Sequence, residues 1–234
     1  MVSMRRELRR LVNKVGDDAL RKKVVDIIEN PTIKIGNTNY EGLSLEASPA
    51  GKSRHHAYSE GLLQHMVASS TLALSLCNIV EKTYHAKISR DIVLASILVH
   101  DAMKPLTYTQ EEDGSYGISP LGERMDHLTL IVSELIRRGF PLDVIHSVTA
   151  HHGRAGPISP RTVEALICFL ADFADATLNG EALDAARFLV RDCVGEEAGK
   201  LTAEEAFAII YAKQVRGCDG VREEFRRIRG NQSS

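Results

Sequence analysis

A histidine and an aspartate stand side by side in an otherwise apolar stretch of the chain, Ile97-Leu98-Val99-His100-Asp101-Ala102-Met103. Burying an imidazole and a carboxylate without hydrogen bonds or a metal ion is costly, so this pair requires partners. Suitable side chains occur elsewhere in the sequence: His65 on a second apolar run, then His127, His151, His152 and Asp172 downstream. Together these residues predict a metal site.

The ligand types favour a catalytic ion over a structural one. If His65, His100, Asp101 and Asp172 converge, two imidazoles and two carboxylates surround one divalent ion and leave positions open for water and substrate. Structural zinc is usually closed by four protein ligands rich in cysteine, whereas this mixed set suits Mn²⁺, Fe²⁺, Zn²⁺ or Mg²⁺ as a Lewis acid.

Together with three further histidines, His127, His151 and His152, the chain has more candidate ligands than one ion requires. We therefore expect Asp101 to bridge two ions, the second held by these histidines. Two neighbouring ions suit phosphate esters, because they activate water and neutralise charge on the phosphoryl oxygens. If one ion binds instead, His127 and His151 are expected to act as phosphate donors or general acids.

Basic residues near the candidate ligands support a phosphate substrate. Lys104 is expected one helical turn after Asp101, on nearly the same face. Arg124 precedes His127 by three residues, and Arg154 follows the histidine pair. Each of these three can grip phosphate oxygens, and the alternative for each is a solvated surface position. Asp101, Lys104 and His127 are the residues to which we assign catalytic roles.

Two more residues are candidates for substrate contacts. His56 lies in the loop before the helix that carries His65, where it can also orient a metal ligand. Asp175 lies one turn beyond Asp172 on the same helical face, so it either holds a ligand in place or contacts a substrate hydroxyl.

The pattern of His65, His100-Asp101 and Asp172 resembles the H…HD…D signature of the HD-domain metal-dependent phosphohydrolase superfamily. Over residues 49–177 the chain also resembles the HD region of bacterial 3′-to-5′ exoribonucleases of the YhaM type. The segments that carry this likeness are Pro49-Ala50, His55-His56-Ala57-Tyr58, Gly61-Leu62-Leu63-Gln64-His65, His151-His152-Gly153, Ser159-Pro160-Arg161-Thr162-Val163-Glu164-Ala165 and Ala171-Asp172-Phe173-Ala174-Asp175-Ala176.

In size and in its histidine-rich site the chain is similar to archaeal phosphodiesterases of pterin biosynthesis, which open a 2′,3′-cyclic phosphate with Fe²⁺. These resemblances imply one or two divalent ions, with Fe²⁺ or Mn²⁺ favoured over Zn²⁺, Ni²⁺ or Mg²⁺. Two departures stand out. The many short strands of the exoribonucleases' OB-fold module have no counterpart here, and Met103 replaces the glycine of the usual HD-x-G-K motif.

These observations predict a metal-dependent phosphodiesterase acting on a small nucleotide-like phosphate ester, such as a 2′,3′-cyclic phosphate of a pterin or nucleotide. The alternatives are a 3′-5′ single-strand exonuclease, a nucleotidase and a non-catalytic nucleotide sensor. A nucleic-acid partner is less favoured, because the net charge is -2, aromatic residues make up 5% and tryptophan is absent. A sensor is expected to have lost a ligand, and no ligand is missing.

Helical periodicity dominates the sequence and predicts an all-α fold, an HD-type helical bundle. We expect one domain over residues 1–234, with an HD core at about 49–180 and flanking N- and C-terminal helices that complete the bundle or form a homo-oligomer interface. The segment at 106–118 is predicted to be a small β-hairpin or a lid. Residues 32–54 read as irregular. Helices are expected at 4–29, 59–82, 90–103, 119–138, 141–153, 161–178, 182–193 and 202–215.

The N-terminal residues 1–8 are basic and lack the apolar segment of a secretory signal. The four cysteines are widely spaced, without a Cys-x-x-Cys pair, and are interpreted as reduced thiols. We therefore expect a cytoplasmic protein without a membrane partner.

Overall fold

The computed structural model describes residues 4–232, and most of them lie in eight α-helices. The helices are α1 Met4–Val12, α2 Asp18–Glu29, α3 Gly61–Lys82, α4 Arg90–Val99, α5 His127–Arg137, α6 Leu142–Thr149, α7 Val163–Val194 and α8 Ala203–Gln232. The predicted all-α fold class is confirmed. Residues 1–3, 233 and 234, part of the domain predicted over 1–234, lie outside the described residues, and the single domain stays a prediction.

Two small antiparallel hairpins interrupt the helices. One pairs β1 Ile33–Ile35 with β2 Thr38–Tyr40, and the other pairs β3 Tyr108–Gln110 with β4 Tyr116–Ile118. The second is the hairpin that the sequence predicted at 106–118. The first lies in a segment predicted to be irregular, so that expectation was wrong.

Helices α3, α4 and α7 meet at the centre of the molecule, where α3 packs against α1, α4 and α7. Their aliphatic faces bury a large core that continues into α1, α2, α5 and α6, while α7 and α8 share a separate apolar cluster. Each fully buried leucine or isoleucine stabilises such a core by about 1.5–3 kcal/mol. This packing holds the central helices in fixed relative positions.

The helix predicted at 4–29 is two helices. The break occurs because the backbone N–H groups of Gly16 and Asp17 donate to the carboxylate of Asp91 at 2.8 and 2.9 Å. Asp17 then caps α2 by accepting from the N–H groups of Ala19 and Leu20. A contact with a residue far along the chain therefore decides this boundary.

Helix α4 ends earlier than predicted, at Val99, with His100 as its C-cap. Pro105 cannot continue an α-helix, and residues Lys104–Leu106 form a 3₁₀ turn instead. Lys104 therefore lies in this turn and not on the same α-helical face as Asp101.

Helix α5 begins later than predicted, at His127. Asp126 caps it by accepting from the N–H of Thr129. Ser119, the expected cap, instead accepts from the N–H of Gly122 in a preceding turn. Likewise α6 ends at Thr149, so His151 and His152 lie in a turn and not in the helix.

The two helices predicted at 161–178 and 182–193 are the single helix α7. The predicted capping box of α8 is present: Glu205 N–H donates to Thr202 Oγ1 at 3.3 Å, and Thr202 N–H donates to Glu205 Oε2 at 2.8 Å. Helix α8 continues beyond the expected end, with non-helical backbone at Gly217.

The expectation that all four cysteines are reduced was wrong. Cys193 near the end of α7 and Cys218 in α8 form a disulfide, with Cα atoms 5.1 Å apart. Cys77 and Cys168 are free and buried.

Among the described helices, α3 has the length and apolar composition that could cross a membrane. It buries His65, Ser69 and Ser70 and packs against three other helices. The core helix of a folded domain has the same composition.

The turn that carries His151 and His152 is followed by Gly153, which has a φ of +59°. A Cβ there would lie 2.4 Å from the ring of Phe169. We expect Gly153→Ala to lower the free energy of unfolding, measured in urea, by more than the roughly 1–3 kcal/mol that backbone strain alone costs. Gly195→Ala is the control, because Gly195 has a φ of +80° with nothing within 4 Å. Equal losses in both variants would contradict a steric role for Gly153.

Candidate metal centre

The central helices bring His65, His100 and Asp172 together, and we call these three residues the first cluster. His65 Nε2 lies 3.2 Å from His100 Nε2 and 3.1 Å from Asp172 Oδ1. One ligand atom from each residue lies within 4.8 Å of the other two. We predicted from the sequence that these residues converge. They do so because α3, the end of α4 and α7 pack against one another.

His127, His151 and His152 form a second cluster, whose ligand atoms also lie within 4.8 Å of one another. His127 is the first residue of α5, and the other two occupy the turn after α6. The three histidines that exceeded the needs of one ion are thus adjacent in space.

Asp101 lies between the two clusters. Its Oδ2 is 3.4 Å from the Nε2 atoms of both His65 and His100. Its Oδ1 is 3.4 Å from His127 Nε2 and 4.0 Å from His151 Nε2. One buried carboxylate therefore presents one oxygen to each cluster.

Hydrogen bonds at Nδ1 orient three of the imidazoles. His100 Nδ1 lies 2.7 Å from the carbonyl oxygen of Ile97, and His151 Nδ1 lies 2.6 Å from that of Val148. A carbonyl oxygen only accepts, so Nδ1 carries a proton in both rings, and Nε2 faces the centre. His65 Nδ1 is held in the same way by Asp175 Oδ2 at 2.7 Å.

The donor atoms fit a divalent cation. Within residues 4–232, the buried atoms Asp101 Oδ1, His127 Nε2 and His151 Nε2 have no hydrogen-bond partner. Such atoms are rare in folded proteins because each costs free energy. Imidazole nitrogen and carboxylate oxygen are ligands of first-row divalent metals, so an ion would satisfy all three.

Burial lowers the pKa of His127 to about 4 and that of His151 to about 3, so both rings are neutral near pH 7. Burial also acts to lower the pKa of His65 and His100, but the neighbouring aspartates outweigh it. They hold the pKa of His65 well above its usual value and raise that of His100 to about 9. The first cluster therefore attracts positive charge, and the second offers neutral ligands.

Lys104, predicted to bind phosphate, is buried beside Asp101. Its Nζ lies 2.6 Å from Asp101 Oδ2 and donates to the carbonyl oxygen of Ala50 at 2.6 Å. One ammonium N–H thus donates to a backbone carbonyl, and the ammonium charge forms an ion pair with Asp101. Arg124 and Arg154 are exposed, one in the turn before His127 and the other directly after Gly153.

His56 and Asp175, predicted to contact substrate, lie behind the first cluster. Both are buried, with 3% and 5% of their surface exposed. Asp175 Oδ2 lies 2.9 Å from His56 Nε2 as well as 2.7 Å from His65. Both side chains are placed to orient His65, the other role that the sequence allowed, and the substrate-contact role stays a prediction.

The sequence did not single out the residues that hold His56. Asn179 Oδ1 accepts from the backbone N–H of His56 at 2.7 Å, and Asn179 Nδ2 donates to the Tyr58 hydroxyl at 3.1 Å. The hydroxyl in turn donates to Gln64 at 2.6 Å. Asn179 follows Asp175 by one helical turn, and that spacing was the available signal.

We expect Asp175→Asn to weaken metal binding about 10–100-fold, because it removes the negative charge that holds His65. Metal affinity by titration calorimetry is the measurement. Asp184→Asn is the matched control, since Asp184 is an exposed carboxylate on the same helix. An affinity in Asp175→Asn equal to that of the control would contradict the orienting role.

Comparison with known proteins agrees with this geometry. Residues 62–177 match the HD domain family. The chain is 37% identical over 183 residues to the dihydroneopterin 2′,3′-cyclic phosphate phosphodiesterase of Methanocaldococcus jannaschii, a match that covers 78% of this chain and 73% of that protein. The 3′-5′ exoribonucleases YhaM of a Geobacillus species and of Bacillus subtilis are 28% and 27% identical over 142 residues.

The matches to the exoribonucleases cover 56% of this chain but only 42% and 43% of those proteins. No solved structure matches the chain at a comparable level. The family match spans His65, His100-Asp101 and Asp172, the residues that carried the predicted resemblance. The chain is therefore a member of the HD domain family.

Proposed function

We propose that this protein is a metal-dependent phosphodiesterase that opens the 2′,3′-cyclic phosphate of a small pterin- or nucleotide-like substrate. The observation that carries the proposal is the position of Asp101, with one oxygen toward each cluster of ligands. The similarity to the phosphodiesterase of M. jannaschii over most of both chains supports the cyclic phosphate as substrate.

His65, His100, Asp101 and Asp172 would hold one ion, while Asp101, His127, His151 and His152 would hold a second. Fe²⁺ or Mn²⁺ suits these mixed nitrogen and oxygen ligands. A divalent ion in such a site supplies Lewis acidity to a phosphate ester and lowers the pKa of water to a value that yields a nucleophile at neutral pH.

The remaining roles belong to the basic residues. Lys104 forms an ion pair with Asp101, and we assign an N–H group that Ala50 does not engage to a phosphoryl oxygen. Arg124 and Arg154 are close in sequence to the histidines of the second cluster and are exposed to solvent. They can therefore contact the phosphate of an incoming substrate. Neutralising a phosphate in this way favours the additional negative charge that develops during attack on phosphorus.

The test is turnover by metal-stripped protein reloaded anaerobically with Fe²⁺ or Mn²⁺. The substrates are dihydroneopterin 2′,3′-cyclic phosphate, 2′,3′-cyclic GMP, GMP and a short single-stranded RNA, with Asp172→Asn as the inactive control. We expect metal-dependent turnover of the cyclic phosphates. Preference for RNA would favour the exonuclease alternative, and stoichiometric metal without any turnover would contradict the proposal.

A further inference from the structure

A groove of about 500 Å³ opens beside the first cluster. Its walls include Ser53, Arg54 and His55 on one side and Phe173, Ala176 and Gly180 of α7 on the other. Phe173 directly follows Asp172, and the ring centroid of His55 lies 5.6 Å from that of His65. The groove is thus lined by residues adjacent to the first cluster, although no metal ligand lines it.

Two small residues, Ala176 and Gly180, leave room on the α7 side of this groove, which also includes Thr177, Glu181, Asp184 and Arg187. Ala176 and Gly180 are one turn apart on the helix, with Phe173 one turn before them, so all three share a face. A Cβ at Gly180 would meet a single neighbour, the carbonyl oxygen of Arg54 at 3.8 Å. From Asp172 to Gly180 the helix rises about 12 Å, a length that accommodates a bicyclic ring linked by a few bonds to a cyclic phosphate.

Two rings near the first cluster, those of Phe173 and His55, line the groove and could contact a ligand. Phe173 is 58% exposed, and an aromatic face can stack on a flat heteroaromatic ring. His55 Nδ1 is buried and has no hydrogen-bond partner in the described part of the chain. One wall of the groove therefore offers an exposed aromatic face, and the other carries a histidine whose Nδ1 has no partner within the described residues.

We propose that this groove binds the flat heteroaromatic ring of the substrate, with Phe173 stacking on the ring and His55 hydrogen-bonding to it. The two residues would then set specificity for ring-bearing cyclic phosphates. This inference rests on the proposed function for its substrate, whereas the groove itself can be tested by binding alone.

The kinetic test compares a ring-bearing substrate, dihydroneopterin 2′,3′-cyclic phosphate, with a ringless one, glycerol 1,2-cyclic phosphate. For Phe173→Ala we expect kcat/KM on the ring-bearing substrate to fall about tenfold, mainly through KM. Gly180→Leu fills the groove with a good helix former and is expected to cause a larger loss. Turnover of the ringless substrate should stay unchanged in both variants.

Phe188→Ala is the matched control, because Phe188 lies on the same helix and is 57% exposed but does not line the groove. It should leave both substrates unaffected, and Phe173→Trp should retain the preference for the ring. Equal losses on both substrates, or no loss, would overturn the proposal. Phe173 also follows the exposed apolar residues Leu166 and Leu170 along one face of α7. Equal losses on both substrates together with an altered sedimentation coefficient would therefore identify an interface between copies of the chain.

Binding of neopterin, followed by its fluorescence, separates this inference from the proposed function. If the wild-type protein turns over neither substrate, the proposed function fails. The groove proposal still requires that neopterin binds the wild-type protein and that Gly180→Leu abolishes this binding. Absence of binding, or equal binding by the variant, would overturn it.

Discussion

Asp101→Asn is expected to remove metal from both clusters and to lower kcat/KM about a thousandfold or more. In the described part of the chain, Asp101 is the carboxylate whose two oxygens face different clusters. A thousandfold loss corresponds to about 4 kcal/mol of transition-state stabilisation, which is within what a catalytic metal supplies. Metal content per chain and steady-state kinetics are the measurements.

A stability control is needed, because asparagine leaves the buried ammonium of Lys104 without its counter-charge. Breaking a buried ion pair from one side typically costs about 3–5 kcal/mol. The double variant Asp101→Asn/Lys104→Met removes both charges and should recover thermal stability while remaining free of metal. Near-normal metal content and turnover in Asp101→Asn would refute the bridging position.

His127→Ala is expected to reduce the metal content from two ions per chain to one and to lower kcat about a hundredfold or more. The structure places His127 Nε2 next to Asp101 Oδ1, on the side of the second cluster. As the first residue of α5, His127 can be replaced by alanine without breaking the helix. Metal analysis of the purified variant is the measurement.

His146→Ala is the control for this variant. His146 lies on α6 outside both clusters, where its Nε2 accepts from the backbone N–H of Arg161. It should retain the wild-type metal content. A wild-type content of one ion that His127→Ala does not change would exclude the two-ion site and leave His127 with the phosphate-donor or acid role that the sequence allowed.

The candidate ligands were predictable because they violate the apolar pattern around them. His65, His100 and Asp101 occur where a buried helix would carry aliphatic residues, and all three are at most 1% exposed. The sequence therefore indicated which polar groups are buried. It indicated that the candidate ligands converge but not every contact among them: the contact of Lys104 with Asp101 and Ala50 depends on the turn that Pro105 imposes.

Element boundaries that depend on distant contacts were not predictable. The gap between α1 and α2 depends on Asp91, about 75 positions further along the chain. The continuity of α7 through Gly180 depends on its packing against α3 and α8, which outweighs the low helix propensity of glycine. Similarly, the spacing of Asn179 from Asp175 was a signal, but the hydrogen bond between Asn179 and Tyr58 is recognisable only when α7 and the loop before α3 are seen together.

The unbroken course of α7 has a consequence for how substrates are distinguished. Asp172 and Gly180 belong to one helix without a proline between them, so the distance between them is set by helix geometry and not by a hinge. A substrate bound along this face would have to match a fixed distance between its phosphate and its ring. The enzyme would distinguish substrates by the length of the linker between phosphate and ring. A substrate with one extra methylene in that linker should therefore have a lower kcat/KM, although its ring and its phosphate are unchanged.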